Sequence, residues 1–124
     1  MLTHLTLINF ALADHLAIDI EQGFNVLTGE TGAGKSLLLD ALSACLGEST
    51  DTNYVRYGSD KADVTAVFTY QDNSPEAKWL KEHELDDDSG EIHLRRVIFA
   101  TGRSKAWVNG RPSSLSELKE LGRL

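Results

Sequence analysis

Apolar residues recur along this chain with period two in several stretches and with helical spacing in a few. Leu5 and Leu7, then Ile8 and Phe10 after a shift, predict a strand near residues 3–10. Leu16, Ile18 and Ile20 alternate with Ala17, Asp19 and Glu21, the pattern of a half-buried second strand, and Gln22-Gly23 reads as its turn. Phe24 to Thr28 is a short, mostly apolar run ending in glycine, as in a buried strand. Ser36 to Leu46 is rich in helix formers and apolar nearly all round, which predicts a helix packed inside the domain with Gly47 as its C-terminal cap. Val64, Ala66, Phe68 and Tyr70 alternate with Thr65, Val67 and Thr69 as a further strand. Ser74-Pro75 opens a helix that runs toward His83. Ile92 to Ala100 and Arg103 to Val108 flank a Thr101-Gly102 turn and predict a hairpin, ended by Asn109-Gly110. Ser114 with Glu117 forms a capping box for a last helix through Leu121. This order predicts an α/β fold with α+β character, built on a mixed β-sheet and carrying an antiparallel hairpin.

Composition narrows the setting. The chain has 124 residues, 41% hydrophobic and 25% charged, which suits a soluble globular domain or a piece of one. No apolar run approaches the roughly 20 residues of a membrane span, and Met1 to His4 does not open a secretory signal. Cys45 is the lone cysteine, so an internal disulfide is impossible; a reducing, cytoplasmic compartment and a small buried side chain are expected. A net charge of −7 argues against a wholly nucleic-acid-binding surface. The charge is uneven, however. Eight acidic residues fall between Asp72 and Glu91, whereas Arg95, Arg96, Arg103, Lys105 and Arg111 follow with no acidic residue among them.

The chemistry concentrates at Gly29-Glu30-Thr31-Gly32-Ala33-Gly34-Lys35-Ser36, which matches G-x-x-x-x-G-K-[ST]. An expected strand feeds it and an expected helix leaves it. Its glycines let the backbone curl and approach a phosphate with no β-carbon in the way. The curled N–H groups and the helix N-terminus then form an anion nest. Lys35 is expected to reach the β- and γ-phosphates, Ser36 to ligand Mg²⁺, and the Leu37 N–H to face the α-phosphate. Hydrolysis also needs an acidic residue at the end of a second apolar strand. No four apolar residues followed by Asp or Glu occur after the loop; Val97-Ile98-Phe99-Ala100 meets Thr101.

The stretch from "LTLINF" through "TGETGAGKS" to "LSACLGE" resembles the N-terminus of the bacterial RecN family, the DNA-repair members of the SMC-like (structural maintenance of chromosomes) ATPases. "VRYGSDKADVTAVF" and "LRRVIFATGRSKAWVNGRPSSLSELKELG" extend that resemblance over essentially all 124 residues. It implies a P-loop NTPase fold, the N-terminal lobe of an ABC/SMC-type ATPase head, with ATP and Mg²⁺ as cofactors. RecN proteins are several times longer and fold both chain ends into one head around an antiparallel coiled coil. The glutamine-bearing loop, coiled coil, ABC signature and acidic strand lie beyond Leu124, so residues 1–124 are expected to be a fragment that hydrolyses little ATP alone. The implied partners are the C-terminal lobe of the same protein, a second head in an ATP-dependent dimer, and DNA in double-strand-break repair and recombination, with no membrane. The implied location is cytoplasmic, at the nucleoid.

Two further features follow from the resemblance and the charge pattern. Arg56, in "VRYG", stands where an SMC-like head carries an arginine near the nucleotide or the DNA-facing surface; it is also readable as a solvated loop residue. Arg95, Arg103, Lys105 and Arg111 form a basic hairpin suited to DNA phosphates or to a solvated sheet face, with Trp107 turned by alternation toward the core. His4, His15, His83 and His93 lack zinc-ligand spacing, and Asp86 to Asp88 lack the other ligands of a calcium loop. Asp40, one turn beyond Ser36, either touches the magnesium shell or pairs locally. Two rival functions remain at this level: a small stand-alone P-loop kinase, and a non-catalytic module that holds nucleotide as a structural ligand.

Overall fold

Six strands pair in the order β2-β1-β3-β4-β5-β6 in the computed structural model of the chain, which describes residues 1–20, 32–86 and 88–124, with residues 32–35 as backbone only. The strands are β1 (Leu2–Phe10), β2 (Ala13–Asp19), β3 (Lys61–Thr69), β4 (Glu91–Phe99), β5 (Ser104–Val108) and β6 (Arg111–Ser113). Among the described residues three α-helices accompany them: α1 (Gly32–Cys45), α2 (Pro75–Glu82) and α3 (Leu115–Gly122). The expected fold class holds, with helices and strands sharing one hydrophobic core. Every described strand pairing is antiparallel. The turn at Gln22-Gly23 and the strand over 24–28 that a mixed sheet would need lie outside the described residues.

Period-two alternation turns one sheet face inward. Leu5 and Leu7 of β1, Ala62, Val64 and Ala66 of β3, Leu94 and Ile98 of β4, and Ala106 and Val108 of β5 are buried together. The small residues of β3 let α1 approach the sheet closely. The shift expected in β1 is present at Asn9, whose φ of +51° carries the backbone through the left-handed region that asparagine tolerates. The shift brings Phe10 into the core, stacked on Tyr54 at 5.0 Å. It leaves Ile8 on the outer face, 40% exposed.

The helix after the glycine-rich stretch also differs from expectation. It begins at Gly32 rather than Ser36, because the first turn of a helix needs no intrahelical partners for its N–H groups. Nor is it buried all round. Leu38, Ala41, Ala44 and Cys45 face the sheet, whereas Leu39 is half exposed and Asp40 and Ser43 are exposed. A single sheet layer packs against it among the described residues, so only one stripe is covered. Its end is a Schellman motif: the Glu48 N–H donates to Ser43 O and the Gly47 N–H to Ala44 O, with Gly47 at φ +89°.

Helix α2 starts at Ser74, whose hydroxyl accepts from the Ala77 N–H, and α3 starts with the expected Ser114–Glu117 box. Asn109 and Gly110 (φ +50° and +82°) make a two-residue turn into β6, a strand the sequence reading did not anticipate. Pro112 is accommodated there because β6 is an edge strand. The Asn109 side chain accepts from the His93 N–H and donates to Leu85 O, both at 2.8 Å. Asn109→Ala is therefore expected to destabilise the fold by about 1–3 kcal/mol, read from a shifted urea midpoint at unchanged slope.

Burial pushes the Cys45 thiol up to about 12, with the Arg96 charge opposing the rise. Fully covered, its S–H group points toward Val64 O and Leu94 O. Native Cys45 is expected to react with a thiol reagent at least about a thousandfold more slowly than the unfolded chain. An equal rate in the two states would contradict this burial.

Candidate nucleotide-binding site

The glycine-rich motif straddles the start of α1. Gly29, Glu30 and Thr31 lie outside the described residues, and Gly32, Ala33, Gly34 and Lys35 form the first helical turn. No acidic residue sits in that turn, so nothing there offsets the positive pole of the helix. Ser36 is exposed on the next position and Leu37 is partly buried. Asp40 is exposed one turn further on. The described geometry thus provides N–H groups at a helix start and an adjacent accessible hydroxyl, a set suited to an anion with a hard cation beside it.

The far end of α1 is held by a residue that sequence reasoning missed. Arg96 is 1% exposed on the core face of β4. Its Nη1 donates to Ala44 O and Glu48 O at 3.0 Å each, and its Nη2 to Thr50 Oγ1 at 3.4 Å and Ser104 Oγ at 3.1 Å. Burial lowers the guanidinium pKa from its usual value, but the charge lies at the negative pole of α1. The signal was available: Leu94, Arg96 and Ile98 share one face of an alternating strand, which places the arginine inside.

Arg56 lies at the turn end of the β1–β2 hairpin, beside Asn9 and Asp14. The segment before it forms a 3-10 turn at Thr52–Tyr54 capped by Asp51, and the Arg56 N–H donates to Asn9 O at 2.9 Å. Its side chain is 41% exposed and lies 3.6 Å from the carboxylate of Asp14.

The basic hairpin divides into tied and exposed members. Arg95 makes a bidentate pair with Asp63, Nε–Oδ1 at 3.0 Å and Nη2–Oδ2 at 2.6 Å, and the hydrogen bond raises its pKa further. The same guanidinium lies 4.8 Å over the Trp107 ring. Trp107 is therefore on the outer face of the sheet, which corrects the expectation that it points to the core. Ala106 and Val108 hold the inward positions on either side of it. Arg111 donates to Glu84 O at 2.9 Å. Arg103 and Lys105 are exposed.

The family model for the AAA domain matches residues 4–120. The chain belongs to the AAA domain family. It is 47% identical over 123 residues to the DNA repair protein RecN of Haemophilus influenzae and 46% identical over 124 residues to RecN of Vibrio cholerae. The RecN protein of Bacillus subtilis is 39% identical over 124 residues. These alignments cover 98%, 100% and 100% of this chain but 22% of each relative, so the resemblance to RecN read from the sequence is borne out over about a fifth of those proteins. A solved structure described under ATP-driven dimerization and DNA-stimulated activation of SMC ATPases superposes with a TM-score of 0.72 at 26% identity, covering 97% of this chain and 76% of that one. The Smc head domain of Pyrococcus furiosus gives 0.69 at 22% identity (97% and 32% covered). The recombination mediator RecF gives 0.68 at 18% identity (95% and 29% covered). The fold is that of an SMC-type ATPase head, and no helix among the described residues is long and apolar enough to cross a membrane.

Proposed function

We propose that residues 1–124 are the N-terminal, ATP-binding lobe of a RecN-type ATPase head that acts in DNA double-strand-break repair and recombination. The observation that carries this reading is the motif Gly29–Ser36 running into a helix that starts at Gly32, within an SMC-type head fold. The backbone N–H groups around Gly32, Ala33 and Gly34 hold the triphosphate, and Lys35 neutralises its terminal oxygens. Ser36 would supply one hydroxyl ligand to Mg²⁺, which would neutralise negative charge on the phosphate oxygens. Glu30 and Thr31 complete the loop, and the Leu37 N–H faces the α-phosphate.

The remaining chemistry belongs to the rest of the protein. A C-terminal lobe supplies the acidic residue, and a second head closes over the nucleotide. Arg56 contributes an accessible cation near the nucleotide or the DNA-facing side. Of the hairpin, Arg103 and Lys105 are the members placed to meet DNA phosphates, since Asp63 already neutralises Arg95 and Glu84 O holds Arg111.

Titrating the full-length protein with ATP in the presence and absence of Mg²⁺ tests the nucleotide reading. Saturable binding that weakens on chelation of magnesium, and weakens less so in Ser36→Ala, is expected; magnesium-independent binding would overturn the role of Ser36. For the hairpin, Arg103→Ala with Lys105→Ala is expected to lower DNA affinity several-fold and to reduce the salt slope by about 2. An unchanged slope would remove the hairpin from the DNA surface.

A further inference from the structure

Arg96 joins three parts of the chain through one side chain. Its partners are the Ala44 carbonyl in the last turn of α1, the Glu48 carbonyl after the helix, the hydroxyl of Thr50 ahead of the 52–54 turn, and the hydroxyl of Ser104 at the start of β5. None of these is a carboxylate, and its Nε has no partner among the described residues. A buried cation of this kind is a weak stabiliser beside an apolar side chain of similar volume, but its directional donors fix geometry.

A second contact runs alongside. The turn between β4 and β5 lies over the 52–54 segment, where a β-carbon on Gly102 would come within 3.9 Å of Thr52 Cγ2. That segment in turn reaches β1 through the Arg56 N–H and Asn9 O. From Ser36 to Ala44 the helix is uninterrupted and rises about 12 Å.

We propose that Arg96 is a positioning residue that makes α1, the 48–56 segment and the β4–β5 hairpin move as one unit, so that nucleotide bound at the N-terminal end of α1 is registered at Arg56 and at the hairpin turn. This inference rests on the phosphate-loop reading. Helix α1 acts as a rigid rod: its first turn follows the phosphates, and its last turn carries Arg96 and whatever Arg96 grips. The exposed Arg103 and Lys105 then sit on an element whose position depends on the nucleotide.

Hydrogen–deuterium exchange on the full-length protein, with Mg²⁺ and a non-hydrolysable ATP analogue as the probe, tests this. In the natural protein, exchange is expected to slow at 29–36 and also, by about fivefold or more, at 48–56 and 99–104. In Arg96→Lys, and in Thr50→Val with Ser104→Ala, slowing at 29–36 is expected to persist while the hairpin returns to its nucleotide-free rate. The hydroxyl-deletion variant keeps the buried guanidinium on its two carbonyls and decides the matter if Arg96→Lys does not fold. A hairpin response that survives in that variant, or that is missing from the natural protein while 29–36 is protected, overturns the linkage alone. No protection at 29–36 in the natural protein overturns the phosphate-loop reading itself.

Discussion

Lys35→Ala is expected to lower ATP turnover by the full-length protein about a hundredfold or more, with the larger share of the loss in the chemical step. Lysine is a compact, strongly hydrated point charge that follows the terminal phosphate oxygens as their negative charge redistributes. One charge-assisted hydrogen bond accounts for about 1.5–3 kcal/mol, and the contribution grows where water is excluded. The neutral methyl leaves that charge to the backbone N–H groups and magnesium alone. Steady-state kinetics on the variant, with stability checked in parallel, reads the effect. Turnover within twofold of the natural protein would remove Lys35 from the site.

The largest effect on stability is expected from Gly47→Ala. Two costs add at this position. The backbone is at φ +89°, where a β-carbon costs about 1–2 kcal/mol. That β-carbon would also lie 2.8 Å from Leu115 O and 2.9 Å from the Lys119 N and Cγ atoms of α3. Two of these are backbone atoms, so α3 must move as a body. A total of about 3 kcal/mol or more is expected, with the thermal midpoint falling by roughly 10 °C or more for a domain of this size. Gly110→Ala is the control. It has a similar φ of +82° but open space around it, so only the backbone cost of about 1 kcal/mol applies. Equal effects of the two substitutions would show that the approach of α3 to Gly47 is not tight.

Much of the fold was readable because its signals are local. Ser74, the Ser114–Glu117 box, Gly47 and the Asn109-Gly110 turn each meet a backbone requirement within a few residues of themselves. The phase shift in β1 was readable for the same reason, although which of Ile8 and Phe10 it favours depends on Tyr54, which stacks on Phe10 from another part of the chain. What sequence hid was decided by layers. The helix after the motif looked apolar all round, but whether Leu39 is covered depends on what packs behind it. Trp107 looked like core, yet the side of β5 facing α3 takes the smaller Ala106 and Val108. Arg95 and Arg96 are neighbours of the same type on opposite faces: one paired with Asp63 in partial exposure, the other buried at the end of α1. The glycine-rich motif points to a phosphate site by residue type at fixed spacing alone, and the described structure adds that its second half opens α1.

Nucleotide is proposed to sit on the first turn of α1. The most direct measurement is a crystal structure of the full-length protein with Mg²⁺ and a non-hydrolysable ATP analogue. The triphosphate is expected against the N–H groups of residues 32–37, with the Lys35 ammonium within hydrogen-bonding distance of its terminal oxygens and the Ser36 hydroxyl on the metal. A triphosphate bound elsewhere, with the start of α1 empty, would contradict it.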